Sequence, residues 1–160
     1  MCLEGFQSGL SWRTILTKRE NFRAALLDFD FNKIARFTQR DINRLLKDEG
    51  IVRHRGKIEA VINNSKRAQE LVEREGSLGA FIWSYEPDNN PRAKLQAVST
   101  STESVALSKD LKKPGWKFVG PTTAYAIIQA MGLVNDHVEG LLVIRVQVEC
   151  ARKAFRRPES

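Results

Sequence analysis

Cysteine is scarce in this 160-residue sequence: Cys2 and Cys150 stand at opposite ends, with no CxxC spacing. That spacing excludes a disulfide framework and a self-contained zinc motif. Histidine is as rare, at His54 and His137 only; His54 has no second ligand nearby, and His137 with Cys150 is too little for a four-ligand zinc site. No apolar run approaches the ~20 residues a membrane helix needs. The opening Met1-Cys-Leu-Glu-Gly-Phe6 lacks the basic region and apolar stretch of a signal peptide. A reducing, cytoplasmic setting without membrane contact is the expectation. Internal repeats are also missing. What is present is ordinary globular material, 42% apolar and 28% charged, with 26 Lys and Arg against 19 Asp and Glu, a net charge of +7. The surplus is interspersed along the chain, which suggests one folded domain with a polyanionic partner, nucleic acid first among them.

Helical periodicity runs through most of the chain. From Ser11, a candidate N-cap, the residues Trp12, Ile15, Leu16, Phe22 and Leu26 recur at helical spacing. Thr38 with Asp41 marks a second helix start, and Ile42, Leu45 and Leu46 supply its apolar face. A long amphipathic helix follows Gly50, with Ile58, Val61, Ile62, Ala68, Leu71 and Val72 inward and Gly76 as its stop. Ser77 to Tyr85 is short, apolar and helical in character, and Glu86 to Thr102 is a long surface loop. Thr102 can cap a helix carrying Val105, Leu107 and Leu111 that ends at Pro114-Gly115; Pro121 opens another, closed by Gly132. Leu141 to Cys150 alternates apolar and polar residues, which favours a strand or an irregular tail.

Four stretches could carry chemistry. Leu111 to Tyr125 spells helix, tight hairpin, helix, and the amides of Thr122, Thr123 and Ala124 after Gly120-Pro121 could hold a phosphate amid Lys112, Lys113 and Lys117. A plain helical hairpin with solvated lysines accounts for the same residues. Gly50 to Lys57 places Arg53, His54, Arg55 and Lys57 at a turn between helices, suited to phosphate contacts or to a solvated helix start. Glu4 stands in an otherwise uncharged segment, so it must be paired, hydrogen-bonded or held for binding. Trp12 could stack on a base or belong to the core. Asn135, Asp136 and His137 could orient a buried network, coordinate a metal or end a helix.

In this order, the segments CLEGFQSGLSW (2–12), KRENFR (18–23), GIVRHRGKI (50–58), ALSKDLKK (106–113), KFVGPTTAY (117–125) and GLVNDHV (132–138) resemble the DNA-3-methyladenine glycosylase I family of helix-hairpin-helix repair enzymes. The likeness covers roughly residues 1–140. It implies an all-α helix-hairpin-helix glycosylase domain over 1–140, with the helix-hairpin-helix at about 103–132 and a divergent tail at 141–160. It also implies a monomer that grips double-stranded alkylated DNA in the minor groove, flips out N3-methyladenine and hydrolyses its N-glycosidic bond without a lyase intermediate. Alkylation leaves the base cationic and a good leaving group, and a damaged base costs least to unstack.

By the same resemblance Glu4 accepts hydrogen bonds from the base edge, Trp12 stacks on its ring, and Gly9 and Leu10 form the wedge that fills the duplex. Arg53, Arg55 and Lys57 face the DNA backbone, with Lys117, Gly120, Thr122 and Thr123 of the hairpin. Asn135 falls near where related glycosylases place a catalytic Asp. The family also holds a structural zinc. Two of its ligands, together with aromatic residues of the base pocket, lie in a segment that precedes the position of Met1, so the fold is expected to be incomplete at the N-terminus. A third, a Cys, corresponds to Leu141, leaving His137 as the single matching ligand, and no zinc is expected. Two rivals follow: a DNA-binding remnant without catalysis, and a fragment unstable without the missing segments.

Overall fold

The computed structural model describes residues 1–87 and 99–134, and every regular element among them is a helix. The expected surface loop lies mostly outside the described residues, as do Asn135, Asp136, His137 and the tail with its expected strand.

The chain opens with α1 (Cys2–Gln7), α2 (Trp12–Thr17) and α3 (Arg19–Ala25). Ser11 caps α2 as its sequence suggests, its side chain accepting a hydrogen bond from the Thr14 amide at 3.2 Å. The single helix implied by the Trp12-to-Leu26 periodicity is broken at Lys18. There the backbone leaves helical geometry, its amide tightens onto the Ile15 carbonyl, and Nζ donates to the Glu49 carbonyl at 2.8 Å. A left-handed turn over Leu27, Asp28 and Phe29 (φ 50°, 59° and 60°) then leads into α4 (Phe31–Ile34). In α5 (Gln39–Lys47) the Asp41 carboxylate accepts from both the amide and the hydroxyl of Thr38, each at 2.9 Å.

The spine is α6 (Arg55–Glu75), 21 residues and therefore about 31 Å long at ~1.5 Å per residue. His54 starts it by accepting the Lys57 amide at Nδ1, which matches the helix-start reading of that histidine. Gly76 ends it at φ 78°, a conformation that penalises any residue with a Cβ. Along its buried stripe, Ile58, Val61 and Ile62 join Phe6, Ile15, Phe22, Leu26, Ile34 and Leu45 in one core. Further on, Ala68 and Leu71 join a second core made with α7 (Leu78–Trp83), α8 (Thr102–Lys112) and α9 (Pro121–Ala130). One helix thus carries both halves.

Helices α8 and α9 pack on each other through Leu107, Leu111, Ala124, Ile127 and Ile128 and form the helix-hairpin-helix. The cap of α8 is Ser101 rather than Thr102. Ser101 Oγ accepts the Ser104 amide, and Ser104 Oγ in turn accepts the Ser101 amide. Pro121 sits in the first turn of α9, where its missing N–H removes no bond. Among the described residues, no helix is long and apolar enough to cross a membrane.

Candidate active site

Helix α1 is too short to be stable alone, and its position is imposed by packing. Phe6 is fully buried, its ring centroid 4.6 Å from that of Phe22. Two residues earlier, Glu4 is thereby placed on the wall of a cleft of about 630 Å³, within the range of small-molecule sites. The cleft lining is mostly apolar, with Leu3, Ala60, Val61, Phe118 and Val119 among its residues, and it also includes the cations Arg19, Arg23 and Lys57. Glu4 is 9% exposed; no side-chain hydrogen bond reaches its Oε2, which lies 2.6 Å from the amino group of Met1. The Trp116 indole N–H, on the same cleft, is buried with no hydrogen-bond partner among the described residues. A carboxylate so placed can take hydrogen bonds and stabilise a cationic ligand.

The cleft also brings in Trp12, from the first turn of α2. It is 43% exposed, so of its two sequence-based readings the core role does not hold. Leu16, one turn on and assigned by periodicity to the same buried face, is likewise exposed to the cleft. Between α1 and α2 the chain turns through Gly9 at φ 76°, and Leu10 projects from this loop at 38% exposure. A Cβ at Gly9 would meet nothing within 4 Å, so its demand for glycine is conformational, not steric.

The basic turn separates into two kinds of residue. Arg53 and Arg55 are exposed, each 3.5 Å from a carboxylate four residues away in sequence, Glu49 and Glu59 respectively. Lys57 corrects the expectation of a third surface cation. It is 7% exposed, and its Nζ donates to the Phe6 carbonyl at 2.8 Å and to the Ser8 carbonyl. Burial pushes its ammonium below the usual lysine range.

In the hairpin, Lys117 is exposed and Thr122 faces solvent. The first intrahelical bond of α9 runs from the Ala124 amide to the Gly120 carbonyl at 2.8 Å. The Ala124 amide is therefore engaged, not outward as its sequence position suggested; the Thr122 and Thr123 amides remain at the open end, with no side-chain cap. Open space surrounds Gly120 where a Cβ would be. What holds the hairpin comes from α6. Asn64 donates from Nδ2 to the Lys117 carbonyl and accepts the Lys117 amide at Oδ1, both at 2.8 Å, while Asn63 Nδ2 donates to the Gly115 carbonyl at 2.9 Å. Ser108 Oγ closes the hairpin from inside by donating to the Val119 carbonyl at 2.7 Å. Sequence reasoning missed these residues. The available signal was two adjacent amides on the inner half of an amphipathic helix.

Among the described residues no group of three or more His, Cys, Asp or Glu could hold a metal ion. His137 lies outside them. No step below depends on a metal.

Comparison with known proteins identifies the family. The sequence model of the family described as methyladenine glycosylase matches residues 1–143. DNA-3-methyladenine glycosylase 1 of Escherichia coli strain K12 is 48% identical over 144 residues, 88% of this chain and 77% of that protein. The DNA-3-methyladenine glycosylase of Haemophilus influenzae is 46% identical over 142 residues, 86% of this chain and 77% of its relative. Among solved structures, a crystal structure of 3-methyladenine DNA glycosylase I superposes with a TM-score of 0.77 at 48% identity, covering 87% of this chain and 79% of that one. Another, in complex with 3-methyladenine, gives a TM-score of 0.79 at 37% identity over 87% of this chain and 77% of its own. This chain belongs to the methyladenine glycosylase family.

Proposed function

We propose that this protein is a base-excision repair glycosylase that hydrolyses the N-glycosidic bond of N3-methyladenine in alkylated double-stranded DNA, acting as a monomer in the cytoplasm. The observation that carries the reading is the buried Glu4 carboxylate on a cleft of about 630 Å³ whose rim presents an exposed Trp12. Methylation at N3 makes the nucleobase a cation. A carboxylate largely withdrawn from water attracts that cation more strongly than an exposed one would, in exchange for its contact with the Met1 amino group, and the Trp12 face adds stacking and cation–π attraction. A flipped alkylated base is thereby selected from neutral bases, and its departure needs little acid catalysis because its positive charge already weakens the glycosidic bond.

Gripping the duplex falls to two surfaces. Leu10, beyond the left-handed Gly9, is suited to occupy the gap left by the flipped nucleotide. The open amides of Thr122 and Thr123, with Gly120 and Lys117 beside them, suit a backbone phosphate, and Arg53 and Arg55 supply further positive charge.

The test is direct. The purified chain incubated with methylated duplex DNA should release free 3-methyladenine, and its duplex affinity should fall as salt rises, in proportion to the phosphates contacted. Salt-dependent binding with no base released would instead favour a DNA-binding remnant.

A further inference from the structure

Two side chains on one face of α6 hold the two DNA-handling loops. Lys57 and Asn64 are seven residues apart, nearly two full turns, so they project from the same side about 10 Å apart along the axis. Both line the cleft, with Ala60 and Val61 between them. Lys57 reaches the C-terminus of α1: its ammonium takes the Phe6 and Ser8 carbonyls, which a six-residue helix would otherwise leave unpaired. Those carbonyls bracket the start of the loop carrying Gly9 and Leu10, directly after the helix that carries Glu4. Asn64 reads both backbone groups of Lys117, and with both partners fixed its amide has only one satisfying orientation. Asn63 supports that arrangement by donating to Asn64 Oδ1 at 3.2 Å as well as to Gly115.

We propose that Lys57 and Asn64 are positioning residues that fix the wedge loop and the phosphate-binding hairpin to one rigid helix, Lys57 governing excision and Asn64 governing grip on the duplex. The inference rests on the glycosylase reading above. An exposed lysine would add affinity for phosphate; this one is buried and sets the height of Glu4 and Leu10 relative to the cleft. Asn64 touches no cation or phosphate, yet it determines where Lys117 and the open end of α9 stand.

The experiment compares single-turnover excision at saturating enzyme with affinity for undamaged duplex, in the wild type, Lys57→Met and Asn64→Ala. Misplacement of reacting groups by about an ångström can cost up to ~100-fold, so Lys57→Met should slow excision by roughly 10- to 100-fold and weaken duplex binding far less. Loss of two hydrogen bonds that set the hairpin should weaken binding by about tenfold in Asn64→Ala, with the smaller effect on the saturated rate. Thermal melts set an assay temperature at which each variant is folded. The milder Lys57→Gln and Asn64→Asp, each keeping one of the two bonds, should move the same readout in the same direction and carry the test if a stronger variant does not fold. Equal losses in rate and affinity, tracking only lost stability, would overturn the inference, as would no change in either. A wild type that releases no base would refute the glycosylase reading instead.

Discussion

Truncating Phe6 separates what holds this site from what performs in it. Phe6 is completely buried, and its ring lies 4.6 Å from that of Phe22, tilted by 49°. Replacing a buried Phe by Ala typically costs 3–5 kcal/mol, from lost transfer energy and an unfilled cavity; the upper half applies here because an aromatic pair is broken as well. A chain of this size melts about 2–4 °C lower for each kcal/mol lost, so Phe6→Ala should lower Tm by roughly 8–20 °C. Trp12→Ala, at a side chain already 43% exposed, should lower Tm by no more than about 3 °C. Excision should show another order: Trp12→Ala depressed at every temperature, Phe6→Ala recovering as the assay is cooled below its lowered transition. Calorimetric melts and base release measured across temperature give both quantities. A loss of under about 1 kcal/mol in Phe6→Ala would refute the claim that packing beneath α1 imposes the position of Glu4.

Other consequences can be checked one residue at a time. At Asp41, hydrogen bonds from the Thr38 amide hold the carboxyl below its ordinary value, as does the Thr38 hydroxyl. With a folded pKa depressed, the contribution is complete above the unfolded carboxylate value and disappears as pH falls through the folded one; Asp41→Asn should therefore cost stability at neutral pH and lose that acid-side dependence in urea melts. Gly76→Ala forces a Cβ into left-handed backbone at the end of α6 and should cost about 1–2 kcal/mol, with no change in excision rate below the melt. Tyr85→Phe removes the 2.8 Å bond to Asp110 that ties the end of α7 to α8, and should cost about 1 kcal/mol in denaturant unfolding.

Local features of the fold were legible in sequence because local chemistry determines them. Ser11 and Asp41 bond to amides within three residues, Pro121 needs no partner at its nitrogen, and Gly76 takes at low cost the positive φ that ends α6. The break at Lys18 was not legible, since the partner that draws its side chain away is the carbonyl of Glu49, 31 residues on. Lys57 was misplaced for the same reason: nothing near it in sequence announces that carbonyls about fifty residues earlier will enclose it. Its neighbours Arg53 and Arg55 did reach the surface, so a run of cations is not a uniform face. In the site itself, Glu4 stood out as a lone charge among uncharged residues, and the cleft gives that oddity a place. Asn63 and Asn64 escaped notice because amides on a helix resemble solvated polar positions until the hairpin they clamp is known.

The central claim is that the Glu4 carboxylate recognises a cationic base, and Glu4→Gln tests it most directly. The substitution keeps the shape of the side chain and removes its charge. Losing a charge-assisted hydrogen bond costs about 1.5–3 kcal/mol, so release of 3-methyladenine from methylated duplex DNA should slow by roughly 10- to 150-fold below the melt while the affinity for undamaged duplex stays close to wild type; Tm should fall, because the Met1 amino group 2.6 Å away loses its counter-charge. Release at the wild-type rate from the folded Glu4→Gln protein would contradict the account.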